Sequence, residues 1–172
     1  MVEIIRQAAL LHDVGKIGIP EHILNKEGKL TDEEYEIMKG HVESSVGIIR
    51  HLPSLDYVIP AVIGHHERYD GNGYPDGLKG DEIPISAQIV SIADVYDALV
   101  SERVYKKAFS HKKAMEMILN GECGAFNPLL LECLVEIQDR IKTELDGSGS
   151  VKKETYKKTI QEIERDMNIN TL

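Results

Sequence analysis

Residues 64–77 read GHHERYDGNGYPDG. Two adjacent histidines, His65 and His66, close an apolar run, and a turn-forming segment with Gly71, Gly73, Tyr74, Pro75 and Gly77 follows at once. Upstream, LLHDVGK sets His12 beside Asp13, and a single His41 lies between the two clusters. Downstream, Asp94 sits in SIADVYDAL. Imidazole and carboxylate together suit iron, manganese or zinc, and the absence of cysteine from these clusters disfavours a structural zinc site. The joint pattern points to a metal centre ligated by nitrogen and oxygen.

The segments around these residues read as helices. Residues 4–14 carry Ile4, Ile5, Ala8, Ala9, Leu10 and Leu11, and the run stops before Gly15. Thr31-Asp32-Glu33-Glu34 is a capping box. Tyr35, Met38, Val42, Val46 and Ile49 then recur at helical spacing, with His41 mid-helix on the flank of the stripe. A third helix runs from about Pro60 to His66. A fourth stripe holds Ile85, Ile89, Ile92, Tyr96 and Leu99, with Asp94 beside it. Ser110 caps a short helix with Ala114, Met117 and Ile118, and Asn127-Pro128 opens another with Leu130, Leu134, Ile137 and Ile141. No alternating stretch is long enough for a strand. The expected fold is all-α. Residues 146–150, Asp-Gly-Ser-Gly-Ser, predict a flexible break between a domain at 1–145 and a tail at 151–172 with one more amphipathic helix.

Bulk properties bound the function. A chain of 172 residues suits one domain with a real core. The net charge of −9 argues against broad binding to nucleic acid polymers, which needs a basic face. It leaves room for a small anionic ligand met by a few placed cations or metal ions. Cys123 and Cys133 form no CxxC pair and are expected to be buried apolar groups in a reducing compartment. No run of apolar residues reaches a membrane span, so the chain reads as cytoplasmic, without membrane insertion.

Asp13 has two oxygens and can serve two metals, while His12 beside it binds one. Two metals about 3.5–4 Å apart can activate water and neutralise a phosphodiester oxygen. His41, His65, His66 and Asp94 lie on or beside apolar stripes and can point inward. His22, His51 and His111 read as solvated groups at loops or helix ends.

LLHDVGKIGIP, GHVESS, HHERYDGNGYPDGLKGDEIP, IADVYDAL and SERVYKKAFSHKKA resemble successive motifs of the HD-GYP domain, a subfamily of the HD metal-dependent phosphohydrolases. The match runs from about residue 4 to about 140. The resemblance implies an HD-type helical bundle, a site with two divalent transition-metal ions (iron or manganese first, zinc next), and hydrolysis of the bacterial second messenger cyclic di-GMP to pGpG or GMP. It implies His12, Asp13, His41, His65, His66 and Asp94 as metal ligands and Asp13 with Lys16 as catalytic residues. Lys16, Tyr74, Arg103 and Lys106 are then the residues that meet the cyclic dinucleotide.

The family has a further ligand-bearing helix ahead of the HD motif, whereas eleven residues precede His12 here and none is histidine. The chain therefore reads as N-terminally truncated. The position served by Asp13, His41, His65 and His66 is complete, and the one served by His12, Asp13 and Asp94 is short of a protein ligand. This keeps a second function in play, a weak or inactive domain that binds cyclic di-GMP or a signalling protein, and a third, an HD hydrolase for another nucleotide. Apolar surface freed by the absent helix predicts a homo-oligomer.

Overall fold

The computed structural model describes residues 1–102 and 107–147. Among them there is no strand, and the chain divides into two units, Met1–Leu131 and Glu132–Leu172. The first unit is built on helices α1 (Val2–Leu11), α2 (Glu21–Leu24), α3 (Asp32–Lys39), α4 (His41–Ile49), α5 (Ile59–Gly64), α6 (Ile85–Val100) and α7 (His111–Leu119). A 3-10 turn, Val14–Gly18, follows α1. Residues 128–131 are again helical, and the second unit is helical over its described residues, 132–147. The helix thus carries two residues into the expected break. The predicted tail helix lies outside the described residues.

The core explains the arrangement. Ala8 of α1, Val46 and Ile49 of α4, Val58, Ala61 and Val62 at α5, and Val90 of α6 form one buried apolar cluster. Ile5, Leu11, Leu55, Ile59 and Ile63 pack against its edges. α1, α4, α5 and α6 each turn apolar residues toward this cluster. At roughly 1.5–3 kcal/mol for each buried Val or Ile side chain, this cluster is what fixes the helices that carry the polar site.

Local chemistry sets the helix ends. Thr31 Oγ1 accepts from the Glu34 N–H at 3.3 Å while Glu34 accepts from the Thr31 N–H at 2.7 Å, the reciprocal cap expected at α3. Ser110 caps α7 through the Lys113 N–H, and Asn127 accepts from the Leu129 N–H at 3.0 Å.

Several expectations are corrected. The single helix expected after Thr31 is two. It breaks at Gly40, whose N–H turns to the Ile37 carbonyl three residues back. His41 therefore opens α4 rather than lying mid-helix. On α6, Ile92, Tyr96 and Leu99 are buried, but Ile85 is exposed and Ala87 and Val90 take the core side. The cause is a close crossing: a Cβ on Gly64 of α5 would lie 3.0 Å from the Ala87 Cβ. Small residues at the crossing decide the register over the larger isoleucines. Met115, not Met117, is buried on α7. Cys133 is exposed and Cys123 half-buried, because neither lies on a core-facing stripe.

Candidate metal centre

The HD motif sits where α1 ends. Its last turn bonds the His12 N–H to the Ala8 carbonyl, and the chain then tightens into the 3-10 turn after Asp13. That turn is clamped onto α4. The Gly15 N–H donates to Ser45 Oγ at 2.8 Å, and the Ser45 hydroxyl donates to the His12 carbonyl at 2.9 Å. A Cβ on Gly15 would come within 2.1 Å of the His41 carbonyl oxygen, so only glycine allows this approach. Ser45 thus sets the HD pair against His41 at the start of α4.

α5 delivers His65 and His66 at its C-terminal end. The loop that follows is held by Glu67, 3% exposed, whose carboxylate accepts from the backbone N–H groups of Asp76, Gly77 and Leu78 at 2.8, 3.1 and 3.0 Å. Gly73 packs directly on that backbone; a Cβ there would meet Arg68 N at 2.3 Å and Glu67 Cα at 2.4 Å. The result brings Tyr74 back over His66, ring centroids 4.6 Å apart and planes 24° from parallel. Asp94 reaches in from α6 to 3.6 Å from His12 Nε2.

Two groups of possible ligand atoms result. One is Asp13, His41, His65 and His66; the other is His12, Asp13 and Asp94; within each, one atom per residue lies within 4.8 Å of the rest. Asp13 belongs to both. The histidine rings are aimed by the backbone: Nδ1 of His12, His41 and His65 lies 2.8, 2.7 and 2.6 Å from the carbonyls of Ala9, Met38 and Val62. A ring that donates from Nδ1 offers Nε2 as the ligand, the usual orientation of metal-binding histidine. The inward atoms His12 Nε2, Asp13 Oδ1, His41 Nε2 and His65 Nε2 are buried and make no hydrogen bond. His41 Nε2 and Asp13 Oδ1 come within 3.2 Å of each other without bonding geometry. Buried polar atoms without partners are costly, and four converging in one place fit a cation between them.

The electrostatics suit that reading. Burial pulls His65 down to about 4 and His66 down to about 2, the latter reinforced by His65 and His41. Both rings are neutral at pH 7, with lone pairs free. Burial opposes ionisation of Asp13, but the close approach of His12, His41 and Lys16 outweighs it and holds the carboxyl far below the usual range. Burial likewise opposes charge on His12, yet Asp13 and Asp94 raise the imidazole to about 10. Asp94 is held low against burial by His12. Without a metal, then, a proton on His12 takes the place of one positive charge. Lys16 Nζ lies 2.5 Å from Asp13 Oδ2. Burial pushes the Tyr74 phenol up, so it remains a hydrogen-bond donor at neutral pH.

The six candidate ligands named from the sequence are therefore brought together, with Lys16 and Tyr74 at their edge. Arg103 and Lys106 lie outside the described residues. His22 and His51 are exposed as expected, but His111 is not simply solvated: its Nδ1 lies 2.7 Å from the buried Tyr96 hydroxyl. Sequence reasoning missed Ser45, Gly15 and Glu67. The signal for Glu67 was present, a carboxylate between a histidine pair and a glycine-rich loop with many free N–H groups. Nothing local in GHVESS distinguishes Ser45 from Ser44.

A family model described as the HD domain matches residues 3–125. The chain belongs to the HD domain family. The run from His65 to Gly77 places this HD domain in the HD-GYP branch, as the residues above imply. It is 43% identical over 81% of its length to a cyclic di-GMP phosphodiesterase of Vibrio cholerae and 44% identical over 80% to one of Thermotoga maritima. It is also 44% identical over 80% to a 3'3'-cGAMP-specific phosphodiesterase 2 of Vibrio cholerae. The chain spans only 30%, 38% and 27% of the length of those proteins respectively. Among solved structures it resembles Bd1817, a HDG"Y"P protein from Bdellovibrio bacteriovorus, with TM-score 0.59 and 21% identity over 81% of this chain and 43% of that one, a likeness of fold. Among the described residues no helix is long and apolar enough to cross a membrane.

Proposed function

We propose that this HD domain is a metal-dependent phosphodiesterase that hydrolyses cyclic di-GMP to pGpG or GMP. The observation that carries the reading is Asp13, one carboxylate shared by two groups of inward-facing ligand atoms. The relatives named as cyclic di-GMP phosphodiesterases support the substrate. His41, His65 and His66 with Asp13 would hold one divalent transition metal, iron or manganese before zinc, and His12 and Asp94 with Asp13 a second. Bound there, such ions supply Lewis acidity to a phosphodiester oxygen and acidify water for attack on phosphorus.

The protein's own residues do the rest. Neutral His65 and His66 offer nitrogen without prior loss of a proton, while His12 must lose one. Lys16, whose ammonium pairs with Asp13, would meet charge that develops on the phosphoryl oxygens. The Tyr74 hydroxyl, protonated at neutral pH, would be available to donate to the ligand. Arg103 and Lys106 would supply the further cations that an acidic chain needs to receive a dianion, since a guanidinium can fork onto phosphate oxygens.

The test is turnover of cyclic di-GMP by the metal-loaded chain, with products separated. Turnover that falls at least about a hundred-fold in Lys16→Ala with metal content unchanged is the expected result. Metal-loaded protein that binds cyclic di-GMP but leaves it intact would instead make it a binding module.

A further inference from the structure

A second concave feature adjoins the centre. A pocket of about 270 Å³ opens between α3, the start of α4 and the loop, lined by Glu36, Lys39, Gly40, Glu43, Tyr74 and Pro75. It is smaller than the roughly 300–1,000 Å³ of sites that enclose a whole drug-sized ligand, which suits one ring system rather than an entire dinucleotide. Tyr74 is its shared wall: the ring that lines the pocket also stacks on His66. Gly40 contributes no side chain and is followed at once by His41. The pocket and the candidate ligands are therefore joined through two consecutive contacts, Tyr74–His66 and Gly40–His41.

Its chemistry is mixed. Lys39 Nζ is held at the rim, 5.5 Å from the Tyr35 ring centroid, 5.7 Å from that of Tyr74 and 2.6 Å from Glu36 Oε1. The exposed Glu43 carboxylate has no ion-pair or hydrogen-bond partner among the described residues. Two carboxylates against one lysine repel phosphate. An aromatic wall with one cationic donor and one open carboxylate suits a neutral heterocycle instead. Guanine matches this set: O6 and N7 accept from a lysine, and N1–H with the N2 amino group donates to a carboxylate. Adenine presents an amino donor where guanine presents O6, and it has no N1–H for a carboxylate.

We propose that this pocket is a base subsite that selects guanine over adenine through Lys39 and Glu43, with Tyr74 as the surface on which the base rests. The proposal rests on the cyclic dinucleotide reading above. It extends that reading to residues of α3 and α4 that carry no metal-binding chemistry.

The experiment measures equilibrium binding to the metal-loaded full chain, using slowly hydrolysed phosphorothioate analogues of cyclic di-GMP and cyclic di-AMP. Wild type should prefer the guanine analogue by about ten-fold or more, as one well-matched base contact allows. Glu43→Gln and Lys39→Met should each bring the two affinities to within about three-fold of one another, mainly by weakening the guanine analogue. Glu43 is exposed on its helix, so its variant keeps the test open if Lys39→Met fails to fold. Hydrolysis of cyclic di-GMP itself is followed on the same wild-type sample. Hydrolysis with an unchanged preference in Glu43→Gln overturns the base subsite and leaves the enzyme reading standing. A preference that the variants abolish, without hydrolysis by wild type, does the reverse. Equal binding of both analogues by wild type also overturns the subsite.

Discussion

Asp13 shows how a single side chain is set by its neighbours. Its two oxygens face His41 at 3.2 Å, His12 at 3.4 Å and Lys16 at 2.5 Å. The same neighbours give the metal-free chain a pH profile with two limbs. His65 is held at about 4 in the folded state against 6.5 ordinarily. Between those values the unfolded chain binds the extra proton, so stability falls as pH drops from 6.5 through 4, by up to roughly 3 kcal/mol. His12 is raised from 6.5 to about 10. Its contribution is fully present below 6.5 and is lost as pH rises toward 10. Urea midpoints of metal-free protein from acid to alkaline pH should therefore peak near neutrality. His12→Gln should remove the alkaline decline and leave the acid one. A flat alkaline limb in the wild type would contradict the placing of His12 between two carboxylates. The candidate ligands were legible in the sequence because imidazole and carboxylate carry their chemistry in their residue type. Ser45 was not, since its role depends on the backbone of a segment thirty residues away.

At the scale of elements, the site depends on two tethers. One is Ser45, which joins the 3-10 turn after Asp13 to α4. Ser45→Ala leaves the Gly15 N–H and the His12 carbonyl unpaired and should cost about 1–3 kcal/mol, read as a shift in urea midpoint. Gly15→Ala should be worse, because backbone of α4 occupies the space its Cβ needs. The other tether is Glu67. Glu67→Ala frees three loop N–H groups and should release Tyr74 from His66. Affinity for cyclic di-GMP should weaken about ten-fold or more while metal content stays near that of the wild type, checked by titration calorimetry beside elemental analysis. Substrate affinity that ignores Glu67 would show that the loop does not meet the ligand. Helix existence followed from periodicity and caps, most clearly at Thr31. The break at Gly40 and the register of α6 did not, because each is decided by how closely two helices approach.

For the molecule as a whole, a compact apolar cluster from α1, α4, α5 and α6 holds a polar centre whose candidate ligands come from the end of α1, the start of α4, the end of α5 and the middle of α6. Helix packing rather than chain proximity assembles it. The motif order made the family readable, but the distances between motifs came only from the fold. Because metal would bind the folded chain and not the dispersed ligands of the unfolded one, loading should raise the melting temperature, and a hundred-fold excess over Kd contributes about 2.7 kcal/mol. The shared carboxylate is the claim on which the account turns. Metal stoichiometry by native mass spectrometry tests it most directly, on chain purified without chelator and loaded with manganese, beside Asp13→Ala and Asp94→Ala. The account predicts two ions per wild-type chain, one in Asp94→Ala and none retained in Asp13→Ala. An Asp13→Ala chain that holds as many ions as the wild type would contradict it.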